Sequence, residues 1–337
     1  MLDTVIFSLI KGLPFSIKKK LIEDHKSPKK AIDNLKISLR GVSSKTGLKI
    51  LNQINSSAIV EKAEKIIQEC MESEIQIIPY WHAFYPKDLI HCTDAPFLIY
   101  TKGEQNPNTQ NLISIVGTRN CTDYGLKEIK RILNYLKSYP IGIVSGLAYG
   151  IDIYAHRSAN ELNLVNHAVL GNGINKIYPK KHLEDSQKIK ENGMLISEYT
   201  PNEGPRAYHF PRRNRIIAGM SKCTIVVESK KTGGAMITAR LANDYNRDVF
   251  AVPGNNHQEY SSGSNLLIQR HQATILNHPE QIVEYLDLKK VENKTTLKYN
   301  NIKLSKEEKL VLNIISKNNE MSINEIQIKS SLKTSFL

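Results

Sequence analysis

Cysteine is scarce in this sequence, and the four cysteines that occur stand far apart. Cys70, Cys92, Cys121 and Cys223 form no CxxC pair, and no histidine stands near them at the spacing of a zinc site. This pattern excludes a disulfide-rich secreted scaffold and is typical of reduced thiols in the cytosol. The sequence therefore predicts no metal centre.

Long apolar runs are also absent. No run approaches the ~18 residues that a membrane-spanning helix needs. The opening segment MLDTVIFSLI carries neither a basic region nor a small-residue cleavage site, so no signal peptide is expected. These absences predict a cytoplasmic protein without a membrane partner.

Several enzyme signatures are missing. The first glycine-bearing loop reads GTRNCTDYG rather than G-x-G-x-x-G, a Walker A loop is absent, and GIVSG lacks the spacing of a nucleophile elbow. The sequence thus argues against NAD and ATP, and we predict no cofactor. Asp152 and His156 stand one helical turn apart, and Glu228 ends an apolar strand, but a structural role is the preferred interpretation for all three. For Glu228 this means tying down a loop through backbone N–H groups.

Acidic residues are too few to balance the basic ones. The net charge is +13, and residues 111–283 carry 21 basic and 14 acidic side chains, an excess of seven. A basic balance suits nucleic acid or an anionic surface without deciding between them.

The composition and the spacing of apolar residues change along the chain. Residues 1–75 have apolar residues at helical spacing and predict a small helical domain of the SAM or helix-hairpin-helix kind, and 76–110 form a connector rich in proline and aromatic residues. Residues 284–303 are polar and predict a linker. Residues 304–337 predict a truncated winged-helix-like module, with Ser305 and Glu308 forming a capping box.

Residues 111–283 alternate short β-branched runs with amphipathic helices. The runs are LISIVGT, IGIVSG, NHAVLG, GMLISEY, CTIVVES, DVFAVPG and ATIL. Apolar strands separated by helices are typical of a parallel sheet covered on both faces. The predicted fold class is therefore α/β, with a doubly wound, extended Rossmann-like parallel sheet.

Small residues, hydroxyls and cations follow several of these strands. They are Gly117, Thr118 and Arg119 after the first strand, Ser145, Gly146 and Gly150 after the second, Lys180 beyond the third, and Gly233 and Gly234 after the fifth. Ligands of doubly wound sheets bind beyond the carboxyl ends of the strands, where helix N-termini expose unpaired N–H groups. The pattern predicts an anion-binding rim.

The segment FPRRNRIIAG, residues 210–219, adds a cluster of arginines. We expect a helix to begin at IIAGMS, so that Arg213 and Arg215 would meet an anion together with the helix dipole. The alternative is a salt-bridge network with Glu198, Glu203 or Glu228.

The order of the motifs resembles one protein family. SIVGTRN, VSGLAYGID, IYP, ISEY, FPRRNRIIAG, VVES, GGAMITARLA, VFAVPG and GSNLLI follow one another over about residues 111–276. This order resembles the DNA-processing protein A family, DprA, also called Smf.

The resemblance implies a non-enzymatic, homodimeric single-stranded DNA-binding protein that protects incoming DNA and loads RecA recombinase in natural transformation. It implies phosphate contacts at the G-S/T-R motif and at the F-P-x-R-N-R motif, with Arg212 at its variable position. The residues concerned are Gly117, Thr118 and Arg119 in the first motif and Phe210, Pro211, Arg213, Asn214 and Arg215 in the second, and the family's lysine after a Y-P pair corresponds to Lys180. Tyr149 replaces a basic residue that the family often has. Phe210, Tyr149, Tyr178 and Tyr208 are candidates for base stacking.

Two other functions stay open. An enzyme could use the same rim to hydrolyse a nucleotide, although the expected motif P-G-G-x-G-T-x-x-E is absent. A transcription factor could act through the C-terminal module, although we expect this module to be truncated. Release of a free base from nucleotides would separate the enzyme from the binder.

Overall fold

A computed structural model describes residues 1–39, 44–290, 305, 307, 308, 311 and 323–330. The described residues before the first strand form helices at α1 (Leu2–Leu9), α2 (Phe15–His25), α3 (Pro28–Ser38), α4 (Lys45–Asn55) and α5 (Ser57–Glu72). Helix α3 begins with Pro28, and the side chain of the preceding Ser27 accepts a hydrogen bond from the Lys30 amide. The start of this helix is therefore determined by neighbouring residues in the sequence.

A nine-stranded sheet forms the centre of the chain. Its strands are β1 (Gln76–Pro79), β2 (Leu98–Gly103), β3 (Asn111–Val116), β4 (Ile141–Ser145), β5 (Val165–Val169), β6 (Gly193–Ser197), β7 (Cys223–Val226), β8 (Asp248–Ala251) and β9 (Thr274–Ile275). Their order is β1-β2-β6-β5-β4-β3-β7-β8-β9. From β6 to β9 all neighbours are parallel, whereas β1 and β2 add antiparallel strands beside β6. The predicted α/β fold class is confirmed, and two strands of the connector extend the sheet.

The order reverses between β3 and β7. From β3 the chain continues through β4, β5 and β6 toward one edge, and β7, β8 and β9 then lie toward the other. Register places Ile115 beside Ile225 and Val116 beside Val226 at this reversal. The connections after β3 and β7 leave in different directions, which opens a crevice at the carboxyl ends of these strands.

Helices cover both faces of the sheet. They are α6 (Asp123–Leu136), α7 (Ile151–Glu161), α8 (Leu183–Glu191), α9 (His209–Gly219), α10 (Gly234–Asp244), α11 (Ser262–Gln269) and α12 (Glu280–Tyr285). One core cluster joins Ile129 and Leu133 of α6 to Ile113 and Ile115 of β3. The other joins Ile216 and Ile217 of α9 to Val116 and Val226, and it continues through Phe97 to Val5 and Phe7 of α1. The apolar side chains of the N-terminal helices therefore share a core with the sheet, in one unit of residues 1–290.

Residues 291–337 form a second unit. The predicted capping box is confirmed, because the Glu308 amide donates to Ser305 Oγ at 3.1 Å and the Ser305 amide donates to the Glu308 carboxylate at 2.7 Å. One further helix, α13 (Ile323–Ser330), is described there. Most of the predicted linker and winged-helix-like module lies outside the described residues, so both stay predictions. Within the described residues, no helix has the length and apolar character to cross a membrane.

Two buried histidines lie beside the middle of the sheet, His156 in α7 and His167 in β5. His156 Nε2 accepts from the Leu147 amide at 3.3 Å, so its Nδ1–H donates to Asn166 Oδ1, 2.6 Å away. His167 is fully buried, and within the described residues neither of its ring nitrogens has a hydrogen-bond partner. Burial lowers the pKa of His156 to about 4 and that of His167 to about 3.

We expect these histidines to set the acid stability of the fold. The unfolded chain takes up their protons below pH 6.5, whereas the folded chain does not until near pH 4 or 3, so stability falls as pH drops through this window. Between pH 7 and pH 5 each buried histidine should remove about 2 kcal/mol from the unfolding free energy. Urea unfolding of His167→Met at both pH values should show a fall about 2 kcal/mol smaller than that of the wild type. The control His257→Met changes an exposed side chain. If its unfolding free energy also depended less on pH, and by the same amount, buried His167 would not be the source of the pH dependence.

Candidate nucleic-acid interface

An open groove of about 680 Å³ lies at the carboxyl ends of β3 and β7, where the strand order reverses. Its walls come from the loop after β3, the start of α9 and the start of α10. The side chains and glycines that the following paragraphs use are Gly117, Thr118, Arg119, Asp152, Tyr178, Arg206, Phe210, Arg213, Asn214, Lys230, Gly233 and Gly234. Part of the predicted rim therefore lies on a concave surface, and its binding of anions stays a prediction.

The loop after β3 is held by its backbone. The Thr118 amide donates to the Glu228 carbonyl at 2.7 Å, and the Ile151 amide donates to the Thr118 carbonyl at 3.1 Å. Gly150 has φ +72°, and a Cβ there would lie 2.2 Å from the Thr118 carbonyl oxygen. Only glycine fits both the conformation and the space. The loop therefore presents Arg119, whose side chain is exposed, from a fixed position.

Aromatic rings lie beneath Arg119. The Arg119 guanidinium is 5.9 Å from the centre of the Phe210 ring, and this ring is 5.5 Å from that of Tyr178. A Cβ at Gly171 would come within 2.8 Å of the Phe210 ring, so this glycine lets the ring pack against the loop after β5. Tyr178 is 43% exposed. A cation above a partly exposed aromatic pair can hold a phosphate and a flat base side by side.

The third wall is the N-terminus of α10. Gly233 is the N-cap residue of this helix, and Gly234 is its first residue. The space that a side chain at Gly234 would occupy is open. The first N–H groups of a helix have no partner within the helix and attract anions. Lys230 lies next to them, pairs with Glu259 at 2.8 Å, and has its ammonium 5.1 Å from the Tyr260 ring. This wall can therefore accept a phosphate.

Arg213 lies in the floor of the groove and is only 4% exposed. Its Nη1 donates to the carbonyl oxygen of Gly146 at 2.6 Å and to that of Val169, at the ends of β4 and β5. Burial lowers the pKa of Arg213 to about 10, and Asp152 opposes this change. Burial also raises the pKa of Asp152, an effect that Arg213 opposes. The expected open guanidinium is thus a buried anchor that gives the groove floor a positive charge.

Arg212 and Arg215 do not line the groove. Arg215 is 6% exposed and donates to the Glu198 carboxylate and to the Asp94 carbonyl. Arg212 Nε pairs with Glu198 at 2.9 Å on the same side of α9. The expectation that Arg215 faces a rim anion is therefore wrong, and the alternative of a salt bridge with Glu198 holds for both side chains.

The expected helix start is also wrong. The helix α9 begins at His209 rather than at Ile216, and the arginines lie in its middle turns. His209 Nδ1 lies 3.2 Å from the Gly171 carbonyl oxygen and fixes this N-terminus to the loop after β5. Residues three or four apart share a helix face, whereas neighbours do not. Consecutive arginines of one motif therefore point to different surroundings.

The remaining predicted residues divide between support and surface. Ser145 is buried and donates from Oγ to the Ile115 carbonyl at 2.6 Å, and the buried Gly146 amide donates to Asp152 at 3.1 Å. Neither lines the groove.

Asn214 lines the groove, and its side-chain amide donates to the Gly234 carbonyl at 3.4 Å. Lys180 is exposed in the turn after Pro179 and lies outside the groove lining. Whether any of these residues binds phosphate stays a prediction.

Both catalytic candidates have structural partners. Glu228 is buried and accepts from the Thr122 amide at 2.8 Å and from the Thr122 hydroxyl at 2.6 Å, which confirms that it ties down a loop. Asp152 and His156 do not bond to each other but hold the amides of Gly146 and Leu147. In the part of the chain that the structure describes, no group of three histidine, cysteine or acidic side chains could hold a metal ion.

Sequence reasoning missed two cations of the groove, Arg206 and Lys230. Arg206 is exposed, lines the groove just before α9, and donates from Nη1 to the Tyr208 hydroxyl at 2.9 Å. Lys230 comes four residues after the end of β7. Position beyond a strand end was the signal for Lys230, because ligands of doubly wound sheets collect there.

Residues 76–287 match the family described as DNA recombination-mediator protein A. Protein Smf of Escherichia coli is 39% identical over 211 residues, which are 62% of this chain and 56% of that protein, so the chain spans only about half the length of this relative.

Two solved structures are similar over their nearly complete length. DNA processing protein A from Streptococcus pneumoniae has a TM-score of 0.72 and 29% identity, covering 84% of this chain and 97% of that chain. DNA processing protein A from Helicobacter pylori, described with a single-stranded DNA binding mode, has a TM-score of 0.57 and 26% identity, covering 63% and 95%. The family match spans more than half of this chain. The resemblance seen in the motifs is confirmed, and the chain belongs to the DNA recombination-mediator protein A family.

Proposed function

We propose that the groove binds single-stranded DNA without regard to sequence. Arg119, Arg206 and Lys230 contact phosphates together with the N-terminus of α10, and Phe210 and Tyr178 stack on bases. The observation that carries this proposal is the exposed Arg119 guanidinium above the Phe210 ring inside an open groove. Binding of this kind needs a cationic groove for the backbone and aromatic surfaces for the bases, and both are present.

The arrangement favours a single strand over a duplex. Stacked and paired bases hide their faces, so rings inside a groove can reach only the bases of an unpaired strand. The Helicobacter pylori relative, described as binding single-stranded DNA, supports the same choice. Arg213 acts as a positioning residue, because its bonds to Gly146 and Val169 hold α9 and with it Phe210.

The groove offers little for catalysis. Asp152 is the one carboxylate among its lining residues, and it is 7% exposed with an oxygen already bonded to the Gly146 amide. A general base must reach the proton that it removes. We therefore propose a binder rather than an enzyme, and the alternative of nucleotide hydrolysis has no geometric support among the described residues.

The family description extends this proposal to recombination. We propose that the protein, as a homodimer in the cytoplasm, protects incoming single strands and loads RecA recombinase onto them in natural transformation. The open shape of the groove supports transfer of the DNA strand to RecA, because a strand held along one side leaves its other side accessible to a second protein.

The aromatic contribution can be measured with Phe210→Leu, which keeps apolar bulk but removes the stacking surface. Stacking is worth about 1–3 kcal/mol per base, so affinity for oligo-dT should fall roughly 5- to 100-fold with little change in salt dependence. Fluorescence anisotropy at fixed ionic strength provides the measurement. Tyr178→Phe retains its ring and should bind as the wild type does; wild-type affinity of Phe210→Leu would exclude base stacking on this ring.

The electrostatic contribution can be measured with Arg119→Gln and Arg206→Gln. Each loses about one phosphate contact, so binding should weaken equally for all sequences and the slope of log K against log salt should become shallower by roughly one unit. Arg131→Gln removes the same charge from α6, outside the groove. A salt titration in which all three variants behave alike would show a diffuse charge effect and contradict a specific groove.

Recombinase loading calls for a functional assay. On single strands coated with single-strand-binding protein, RecA hydrolyses ATP after a lag, and the added wild-type protein should shorten this lag. Phe210→Leu should not, because it no longer holds the strand. If the wild-type protein binds DNA but leaves the lag unchanged, loading is refuted while strand binding stands.

A further inference from the structure

A second cavity of about 460 Å³ lies on the other side of α9 from the groove. Arg212 and Arg215 of α9 line it, whereas Arg213 and Asn214 line the groove. Its other walls are α1 and α2, the segment leading into β2, and the residues after β6. The lining side chains used below are Leu9, Leu13, Phe15, Lys18, Asp94, Phe97, Glu198, Arg212 and Arg215.

The walls of the second cavity combine apolar and charged surface. Leu9, Leu13 and Phe15 contribute the apolar part from α1, α2 and the turn between them, and Phe97 adds an aromatic ring from the segment before β2. Apolar side chains beside a few placed charges are found in sites for small organic ligands.

Most charges of the second cavity compensate one another. Glu198 pairs with Arg212 at 2.9 Å and also with Arg215, and Arg215 in addition donates to the Asp94 carbonyl. The two guanidinium groups therefore share one carboxylate of the wall as their counterion, which reduces their attraction for a ligand.

Lys18 is different. Its side chain is only 5% exposed, its Nζ donates to the Ser8 carbonyl at 2.8 Å, and it lies 5.6 Å from the Phe97 ring centre. Within the described residues no carboxylate pairs with this ammonium group. An ammonium has three N–H donors, and a buried charge is costly without a counterion. Burial accordingly lowers the pKa of Lys18 to about 8.

We propose that the second cavity binds a small organic monocarboxylate that carries an apolar or aromatic group. The carboxylate would accept from Lys18, and the apolar group would pack against Leu13 and Phe15 of the cavity wall. A dianionic phosphate fits less well, because the arginines of the cavity already pair with Glu198, and Lys18 alone supplies only one positive charge. The inference does not depend on DNA binding in the groove.

Such a carboxylate has two sources, a free organic acid or the C-terminus of a peptide that ends in an aromatic residue. The test uses 3-phenylpropionate for the first and an acetylated tripeptide ending in phenylalanine for the second, with 3-phenylpropionamide as the uncharged control. Isothermal titration of the full-length protein should show saturable 1:1 binding of one of the two acids, and at least tenfold weaker binding of the amide. Tighter binding of the tripeptide would identify a peptide terminus, and tighter binding of 3-phenylpropionate a free acid.

Variants of Lys18 test whether the carboxylate binds to its ammonium group. Lys18→Met should weaken binding of the acid by roughly 10- to 100-fold, because a hydrogen bond to a charged group is lost. Lys11→Met removes an exposed charge from the neighbouring turn and should leave affinity unchanged. Circular dichroism confirms that each variant is folded, and Lys18→Gln replaces Lys18→Met if the latter is not. Failure of both acids to bind, equal affinity for acid and amide, or full affinity in the folded Lys18 variant would each overturn the proposal.

Discussion

The Arg213 guanidinium, bonded to carbonyl groups at the ends of β4 and β5, is the contact on which the site depends. A buried backbone carbonyl needs a hydrogen-bond donor, and the Arg213 guanidinium donates to two of them, one at the end of each strand. This interaction fixes α9 against the sheet. The ring of Phe210, on the first turn of α9, and the guanidinium of Arg119, on the loop after β3, meet because both elements are held to the same strand ends.

Buried and exposed cations consequently have different tasks. Arg213 and Arg215 are each almost fully buried and bond to groups of the protein itself, so they hold elements together. Arg119 and Arg206 are exposed at the groove and keep their charge available for a ligand. A helix with surfaces on two sides makes this division possible, since α9 borders the groove with one face and the second cavity with the other.

The arginine motif shows where sequence reasoning stops. Spacing located the basic segment next to the sheet, but the helix was expected to begin at Ile216 and begins at His209. A start seven residues earlier turns loop side chains into helix side chains and rotates each one by the helical period. Glu198 lies seventeen residues before Arg215 in the sequence, and only the return of the chain from β6 to α9 brings them into contact.

The amino-acid pattern was enough to predict the strands and helices of residues 111–283 and their layering. Each of the seven predicted apolar runs of residues 111–283 is a parallel strand. A strand buried on both faces is a run of consecutive apolar residues, and this pattern can be recognised without knowing which strands lie beside it. It also located Gly117, Arg119 and Gly233 at the rim, since strand ends are local too. Folding in three dimensions, by contrast, sets which cations are buried, which carboxylates they contact, and that β1 and β2 join the sheet. Those outcomes depend on contacts between residues far apart in the chain, and spacing carries no information about them.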